Sequence, residues 1–174
     1  IKTRYPENFN PYTKMSLNGL KGFSYCFDKL KMDKVFYLED DIKVSFDFLK
    51  FGNFILDKYR DNSSFFAFNG FSSEVFNKKK LPIYSKFSFG IGKGWAINKN
   101  NWLHIKKMWN KKFIHSNQPM YDNPIEEHIK KNGKFVVMPV CSRTLEMKSV
   151  GVSVNYLSNK DYFTKMKKSF CKVK

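Results

Sequence analysis

The stretch that decides the fold is Val35-Phe36-Tyr37-Leu38-Glu39-Asp40-Asp41. Its first four residues form a short, unbroken apolar run, which is typical of a central parallel strand that is covered on both faces. The run stops abruptly at three carboxylates, so these fall at the C-terminal end of the predicted strand. Because ligands of open α/β sheets bind at that end of the strands, the triplet Glu39-Asp40-Asp41 is a candidate binding site.

Helical and strand patterns alternate along the rest of the chain. The predicted helices run from Met15 to Leu30, from a cap at Ser45 to Tyr59, and from a cap at Asn100 or Asn101 to Trp109. The predicted strands are Ser64 to Phe68, the end of the segment Gly90 to Ile97, and Phe135 to Met138, with a polar, lysine-rich loop around Pro82. This alternation predicts an α/β layered fold with a mainly parallel sheet flanked by helices.

Composition is that of one globular domain with a strongly basic surface. The chain has 174 residues, of which 42% are hydrophobic, and its formal net charge is +17. That amount of apolar material is sufficient for one packed core, and we treat residues 1–174 as a single domain. The charge favours anionic partners, among them nucleic acids, anionic lipids and phosphorylated metabolites.

The cysteines and histidines do not predict a metal or disulfide framework. Three cysteines are widely spaced, and three histidines lack the mutual spacing of a zinc site: Cys26, Cys141, Cys171, His104, His115 and His128. No apolar run has the length of a membrane span, and the first residues lack the pattern of a secretory signal. The compartment stays open: the cytoplasm for a bacterial or viral protein, the Golgi lumen for a eukaryotic one.

Two acidic positions are candidates for chemistry. Three adjacent carboxylates repel one another unless a cation lies among them, and Mn²⁺ or Mg²⁺ is the natural choice, although a solvated turn is the alternative for Glu39-Asp40-Asp41. Asp122 precedes a predicted helix that has Asn123 as its N-cap and Pro124 as its first residue. A helix N-terminus keeps a carboxylate ionised and able to accept a proton, and a capping role is the alternative.

The glycines of Gly90 to Gly94 match neither the dinucleotide fingerprint nor the phosphate-binding loop with its lysine and hydroxyl pair. Taken in order, however, the motifs of this chain resemble those of the N-acetylglucosaminyltransferase I family. The motifs are Glu39-Asp40-Asp41, Gly92-Lys93-Gly94-Trp95, Tyr121-Asp122, Ser142-Arg143-Thr144 and Gly151-Val152-Ser153. The resemblance covers about Leu17 to Ser153.

This resemblance implies a GT-A, Rossmann-like fold and an inverting sugar transfer from a uridine diphosphate sugar to a glycan hydroxyl. Asp41 would bind Mn²⁺ against the donor diphosphate, with Mg²⁺ as the alternative ion, and Asp122 would be the catalytic base. The positions that would contact the donor are Glu39, Asp40, Gly94, Trp95, Tyr121 (where the family has Trp), Val152, Ser153 and Asn18, which stands where the family has a histidine. Since one helix and a Pro6 to Pro11 lead-in precede Val35, we expect the first GT-A strands, which hold the uracil base, to be missing.

Three alternatives stay open. The basic charge and the aromatic residues could serve a nucleic-acid-binding module, although no recognition signature of such a module is present. A catalytically silent relative could bind a sugar nucleotide without transferring the sugar. The basic tail from Lys160 to Lys174, which carries Tyr162, Met166 and Phe170 on one side, could contact an anionic membrane or pack as a final helix.

Overall fold

The structure is a computed structural model that describes residues 5, 9–72, 83–109, 122–147 and 170. Within these ranges the helices are α1 (Pro11–Ser24), which a π-helical turn continues (Tyr25–Lys29), α2 (Phe48–Lys58), α3 (Lys99–Met108) and α4 (Asp122–Lys131). The strands are β1 (Lys34–Tyr37), β2 (Ile42–Val44), β3 (Phe65–Asn69), β4 (Tyr84–Phe87), β5 (Trp95–Asn98), β6 (Phe135–Pro139) and β7 (Thr144–Glu146). None of the described helices is long and apolar enough to cross a membrane.

Five strands form the main sheet, in the order β1-β5-β3-β6-β4. Strand β5 pairs antiparallel with both β1 and β3, β4 pairs antiparallel with β6, and only β3 and β6 pair in parallel. A mixed α/β fold is therefore confirmed, but the predicted mainly parallel sheet is wrong. The reason is burial: Trp95, Ala96 and Ile97 have no exposed surface, and a strand covered on both faces has the same apolar pattern in either direction.

Strand β1 also departs from its prediction. It lies at one end of the sheet order, and its partner among the described strands is β5. Its four residues are half-buried, as expected of a strand whose faces are covered but whose outer edge is not. The helices α1 and α2 supply this cover, because Gly19 on α1 lies beside Tyr37 and Gly52 on α2 lies against Phe36.

Helices cover the sheet on both faces and create two cores. The first core contains an aromatic cluster in which Phe23 of α1 contacts Trp95, Trp102 and Trp109 at ring-centroid distances of 5.2, 5.6 and 6.1 Å. The second core lies between α2 and the other face and includes Phe48, Ile55, Leu56, Phe65, Phe68, Ala96 and Val137. Burial of each large apolar side chain stabilises the fold by about 1.5–3 kcal/mol, so the two cores explain the layered architecture.

The four predicted helices are present with shifted ends. Helix α1 begins at Pro11, earlier than predicted, because Asn10 caps it by accepting a hydrogen bond from the Tyr12 N–H at 2.8 Å. The N-cap of α2 is Asp47 rather than Ser45, and α4 begins at Asp122 rather than after Asn123. Helix ends are the least determined part of a periodic pattern, because the ends fray and the last turns are irregular.

Two parts of the strand content were not predicted. Strand β4 occupies part of the segment that we interpreted as a lysine-rich loop, and β2 and β7 form a separate two-stranded antiparallel sheet. All three are short, and β2 and β4 include exposed residues, so their apolar signal is weak. The small sheet nevertheless positions the end of the acidic triplet beside Glu146.

Candidate functional site

The acidic triplet lies in the turn between β1 and β2. Strand β1 ends at Tyr37 and β2 begins at Ile42, and the Ile42 N–H donates to the Glu39 carbonyl at 3.2 Å, which closes the turn. Glu39 and Asp41 are half-buried, whereas Asp40 is exposed. The three carboxylates therefore do follow the C-terminal end of a strand, as predicted.

The small sheet fixes the segment 141–147 beside this turn. Ile42 is paired with Glu146, and the Met147 N–H donates to the Asp41 carbonyl at 2.7 Å. At the other end of β2, the Ser45 N–H donates to the Arg143 carbonyl at 2.8 Å. The backbone of the triplet is thus held by the segment that begins with Ser142-Arg143-Thr144 and continues through β7 to Met147.

Gly94 joins the triplet to the same segment. The Gly70 N–H, after β3, donates to the Gly94 carbonyl at 2.8 Å, and the Arg143 N–H donates to the Gly70 carbonyl at 2.7 Å. A Cβ on Gly94 would lie 2.6 Å from Thr144 Cγ2 and 3.1 Å from Leu38 Cδ2. Leu38, directly before the triplet, and Thr144 of a second motif therefore lie around Gly94 of a third motif, at the C-terminal ends of β1 and β3.

Ser142 and Arg143 serve this junction as structural residues. Ser142 has no exposed surface, and its Oγ donates to the Thr144 carbonyl at 2.7 Å and accepts from the Ser72 N–H at 3.1 Å. The Arg143 guanidinium donates to the Cys141 carbonyl at 2.6 Å and lies 3.3 Å from Asp47 Oδ2. Phe170, from the basic tail, forms an isolated bridge with Ser142, whereas Tyr162 and Met166 lie outside the described residues.

An ion pair that the sequence analysis missed lies at the same junction. Lys93 Nζ is 2.7 Å from Glu146 Oε2, and the Glu146 side chain is only 6% exposed. Lys93 has a left-handed backbone, with φ of 51°, between two glycines that also have positive φ. The available signal was the lysine inside Gly92-Lys93-Gly94, since a non-glycine residue between two turn-forming glycines is unusual.

Helix α4 begins close to the glycine segment. Asp122 is its first residue, and Glu126, one turn later, accepts a hydrogen bond from the Gly90 N–H at 3.0 Å through Oε1. The Asn69 side chain, at the end of β3, donates to the Gly90 carbonyl at 3.1 Å. The N-terminal half of α4 is therefore attached to the loop that leads to Gly94. Tyr121, Val152 and Ser153 lie outside the described residues.

Two further predicted donor-binding residues have clear positions. The Trp95 side chain is fully buried and packs 6.1 Å from Tyr37 between ring centroids, so its indole belongs to the first core. Asn18 is exposed on α1 and accepts a hydrogen bond from the Tyr5 hydroxyl at 2.8 Å. Its neighbour Gly19 lies against Tyr37, so this part of α1 is next to the end of β1.

The chemistry of the triplet suits a hard divalent cation. Mn²⁺ and Mg²⁺ prefer carboxylate oxygens, and such ions are bound by one or two carboxylates together with water and substrate phosphates. Among the residues that the structure describes, no three His, Cys, Asp or Glu side chains are grouped to hold a metal.

Two histidines that are distant in sequence meet between α3 and α4. The ring centroids of His104 and His128 are 5.8 Å apart, and the His128 ring also packs 5.8 Å from Phe66. Burial lowers the pKa of His128, and the nearby His104 and Lys134 lower it further. His128 is therefore neutral at physiological pH and belongs to the packing of α4.

No protein-family model matches this chain, so the functional assignment depends on the site itself.

Proposed function

We propose that this chain is an inverting, metal-dependent glycosyltransferase of the GT-A fold. It transfers a hexose, such as N-acetylglucosamine, from a uridine diphosphate sugar to a glycan hydroxyl. The observation that supports this proposal best is the meeting of three motifs around Gly94. A Cβ on that glycine would lie 3.1 Å from Leu38, directly before the acidic triplet, and 2.6 Å from Thr144.

The proposed metal site is Asp41, and Mn²⁺ bound there, or Mg²⁺ in its place, would stabilise negative charge on the departing diphosphate. Glu39 and Asp40 lie in the same turn and would face the sugar and the ribose. The Met147 N–H donates to the Asp41 carbonyl at 2.7 Å, which holds the backbone of this residue in the turn.

Asp122 is the proposed catalytic base. It would accept the proton of the acceptor hydroxyl as that oxygen attacks the anomeric carbon, which inverts the configuration. Its place as the first residue of α4 supports this role, since the helix dipole stabilises an ionised carboxylate there. The hydrogen bond from the Gly90 N–H to Glu126 attaches the N-terminal half of α4 to the glycine segment that leads to Gly94.

The aromatic side chains that form the two cores do not support nucleic-acid binding. Phe23, Phe48, Phe68, Trp95 and Trp102 are at most 2% exposed and form the two cores. Base stacking needs aromatic faces that a nucleotide can reach. The +17 charge then fits a phosphorylated donor at least as well as a polynucleotide.

The test combines calorimetry with a transfer assay on the full chain. Asp122→Asn is expected to reduce kcat by roughly 10²–10⁴-fold without changing the dissociation constant of the donor, because it removes the base alone. Asp41→Ala is expected to weaken Mn²⁺-dependent donor binding by at least roughly tenfold, since even indirect partners of a metal contribute that much. Asp61→Asn, an exposed carboxylate in the turn after α2, is the control and should change neither.

Each alternative gives a different result. Equal activity of wild type and Asp122→Asn would contradict the assignment of the base. Donor binding without transfer to any glycan tested would identify a catalytically silent relative. Binding of oligonucleotide with a steep salt dependence, together with no affinity for uridine diphosphate and Mn²⁺, would replace the proposal with a nucleic-acid-binding function.

A further inference from the structure

Lys93 has a backbone conformation that is unfavourable for a lysine. Its φ is 51°, and it stands between Gly92 and Gly94 with φ of 120° and 89°. A residue with a Cβ is strained in the left-handed region, whereas glycine is not. Glycine at position 93 would therefore form the same loop at lower cost, so the lysine side chain must offset that cost through its contacts. Strain of this kind is concentrated at functional sites.

The contacts of Lys93 hold its ammonium group in one place. Nζ lies 2.7 Å from Glu146 Oε2 and 4.9 Å from the centre of the Phe71 ring. The Glu146 side chain is 6% exposed, so its charge requires a cationic partner. The Lys93 side chain is 26% exposed, so a ligand at the surface can approach it. Glu146 and Phe71 therefore present a positive charge at a defined position.

That position is beside the acidic triplet. The residue after Glu146 is Met147, whose N–H donates to the Asp41 carbonyl at 2.7 Å. The residue after Lys93 is Gly94, which lies against Leu38, directly before the triplet. Lys93 is thus connected to the triplet in two ways. One connection runs through its ion pair with Glu146, the neighbour of Met147, and the other runs through the adjacent Gly94.

Arg143, a second cation at this junction, is already engaged by other groups. The Arg143 side chain is 10% exposed, and it is engaged by Asp47 and by the Cys141 carbonyl. Its guanidinium also stacks 4.3 Å from the Phe51 ring centre. Of Arg143 and Lys93, the lysine is the one that an anion can reach more easily.

We propose that Lys93, positioned by Glu146, binds a phosphate oxygen of a diphosphate ligand at the triplet. This inference rests on the proposed function and deepens it, because the ligand would be the diphosphate of the nucleotide sugar. When the bond to the sugar breaks, the departing diphosphate gains a negative charge beyond the two that one divalent ion neutralises, and an ammonium group with three donors can hydrogen-bond to its oxygens. Lys93 is then a binding residue for the leaving group, and Glu146 is a positioning residue.

The test is calorimetry of the full chain with inorganic pyrophosphate and, separately, with uridine diphosphate, each with Mn²⁺ present. The double variant Lys93→Met with Glu146→Gln removes both charges and leaves no buried carboxylate without a partner. It is expected to weaken both ligands by about tenfold, the value of one hydrogen bond to a charged group. Lys93→Arg, which keeps the charge, should retain most of the affinity.

A matched control and a measurement on the unaltered protein complete the design. Lys106→Met with Asp28→Asn removes an ion pair of similar length, 2.8 Å, between α3 and the π-helical turn, and should leave both affinities unchanged. In the wild-type chain, pyrophosphate with Mn²⁺ should protect Lys93, but not Lys106, from acetylation by acetic anhydride, as read by mass spectrometry. This second measurement does not depend on how any variant folds.

The outcomes separate this inference from the proposed function. If nucleotide sugars bind and the double variant equals wild type, or Lys93 is not protected, the inference is overturned while the proposed function stands. If pyrophosphate binds through Lys93 and no uridine nucleotide binds, the diphosphate subsite stands and the proposed function is contradicted. If the wild-type chain binds neither ligand, both are overturned.

Discussion

Replacing Gly94 with alanine is a quantitative test of the junction at the triplet. Two costs combine at this position. The backbone has φ of 89°, and a left-handed conformation costs a non-glycine residue about 1–2 kcal/mol. The new Cβ would lie 2.6 Å from Thr144 Cγ2, and Thr144 is 1% exposed, so the clash is with a packed side chain. Overpacking of this type costs about 1–3 kcal/mol, which gives a total of about 2–5 kcal/mol.

Two other glycines separate these costs. Gly133 has φ of 59°, and a Cβ there would meet nothing within 4 Å, so Gly133→Ala should show the backbone cost alone, about 1–2 kcal/mol. Gly22 lies in α1 with open space around it, so Gly22→Ala should increase stability by about 0.5–1 kcal/mol. The predicted order of stability is therefore Gly22→Ala, wild type, Gly133→Ala and Gly94→Ala.

Urea unfolding followed by circular dichroism measures this order, provided that the slope against urea concentration is the same for all variants. In thermal unfolding, each kcal/mol should change Tm by roughly 2–4 °C for a chain of this size. If Gly94→Ala costs no more than Gly133→Ala, Thr144 and Leu38 do not confine Gly94. The close packing of Gly94 against Thr144 and Leu38, on which the grouping of the motifs depends, would then be wrong.

Two further predictions concern the core. Burial holds the pKa of His128 below its ordinary 6.5, so the unfolded chain binds a proton at this residue more readily than the folded chain does. The free energy of unfolding should therefore fall as the pH drops below 6.5 and through the folded pKa. His128→Gln should reduce this dependence on pH, as measured by urea unfolding between about pH 5 and 7. If the unfolding free energy of the variant has the same dependence on pH as that of wild type, His128 is not the group responsible. Asn101 donates to the Phe66 and Phe65 carbonyls at 2.7 and 3.1 Å, so Asn101→Ala should cost about 1–3 kcal/mol, whereas the exposed Asn100→Ala on the same helix should cost almost nothing.

The helices and the buried strands could be predicted because their signals are local. Phe48, Ile55 and Tyr59 recur at helical spacing, and they do face the sheet through α2. The run from Phe65 to Phe68 is apolar because both faces of β3 are covered, and it forms a strand as expected. Gly133 ends α4 in the left-handed conformation that its position after the periodic segment indicated.

Strand direction and long-range ion pairs could not be predicted in this way. The direction of β5 depends on which strands it joins, and no residue within Trp95–Asn98 records that choice. The pairing of Lys93 with Glu146 depends on the small sheet of β2 and β7, whose strands are three residues long and carry little pattern. Contacts of this kind require the packed fold, since they join segments that are distant along the chain.

The corrected direction of β5 has a consequence for the candidate site. Strand β5 is antiparallel to β1, and Trp95, its first residue, is paired with Tyr37, the last residue of β1. The residues that precede β5, Gly92 to Gly94, therefore lie at the same edge as the acidic triplet. In the parallel sheet that we predicted, they would lie at the opposite edge, about 13 Å away along four residues of strand. The grouping of the motifs that supports the proposed function thus requires β5 to be antiparallel to β1. The mainly parallel sheet that we predicted would have separated Gly92 to Gly94 from the acidic triplet.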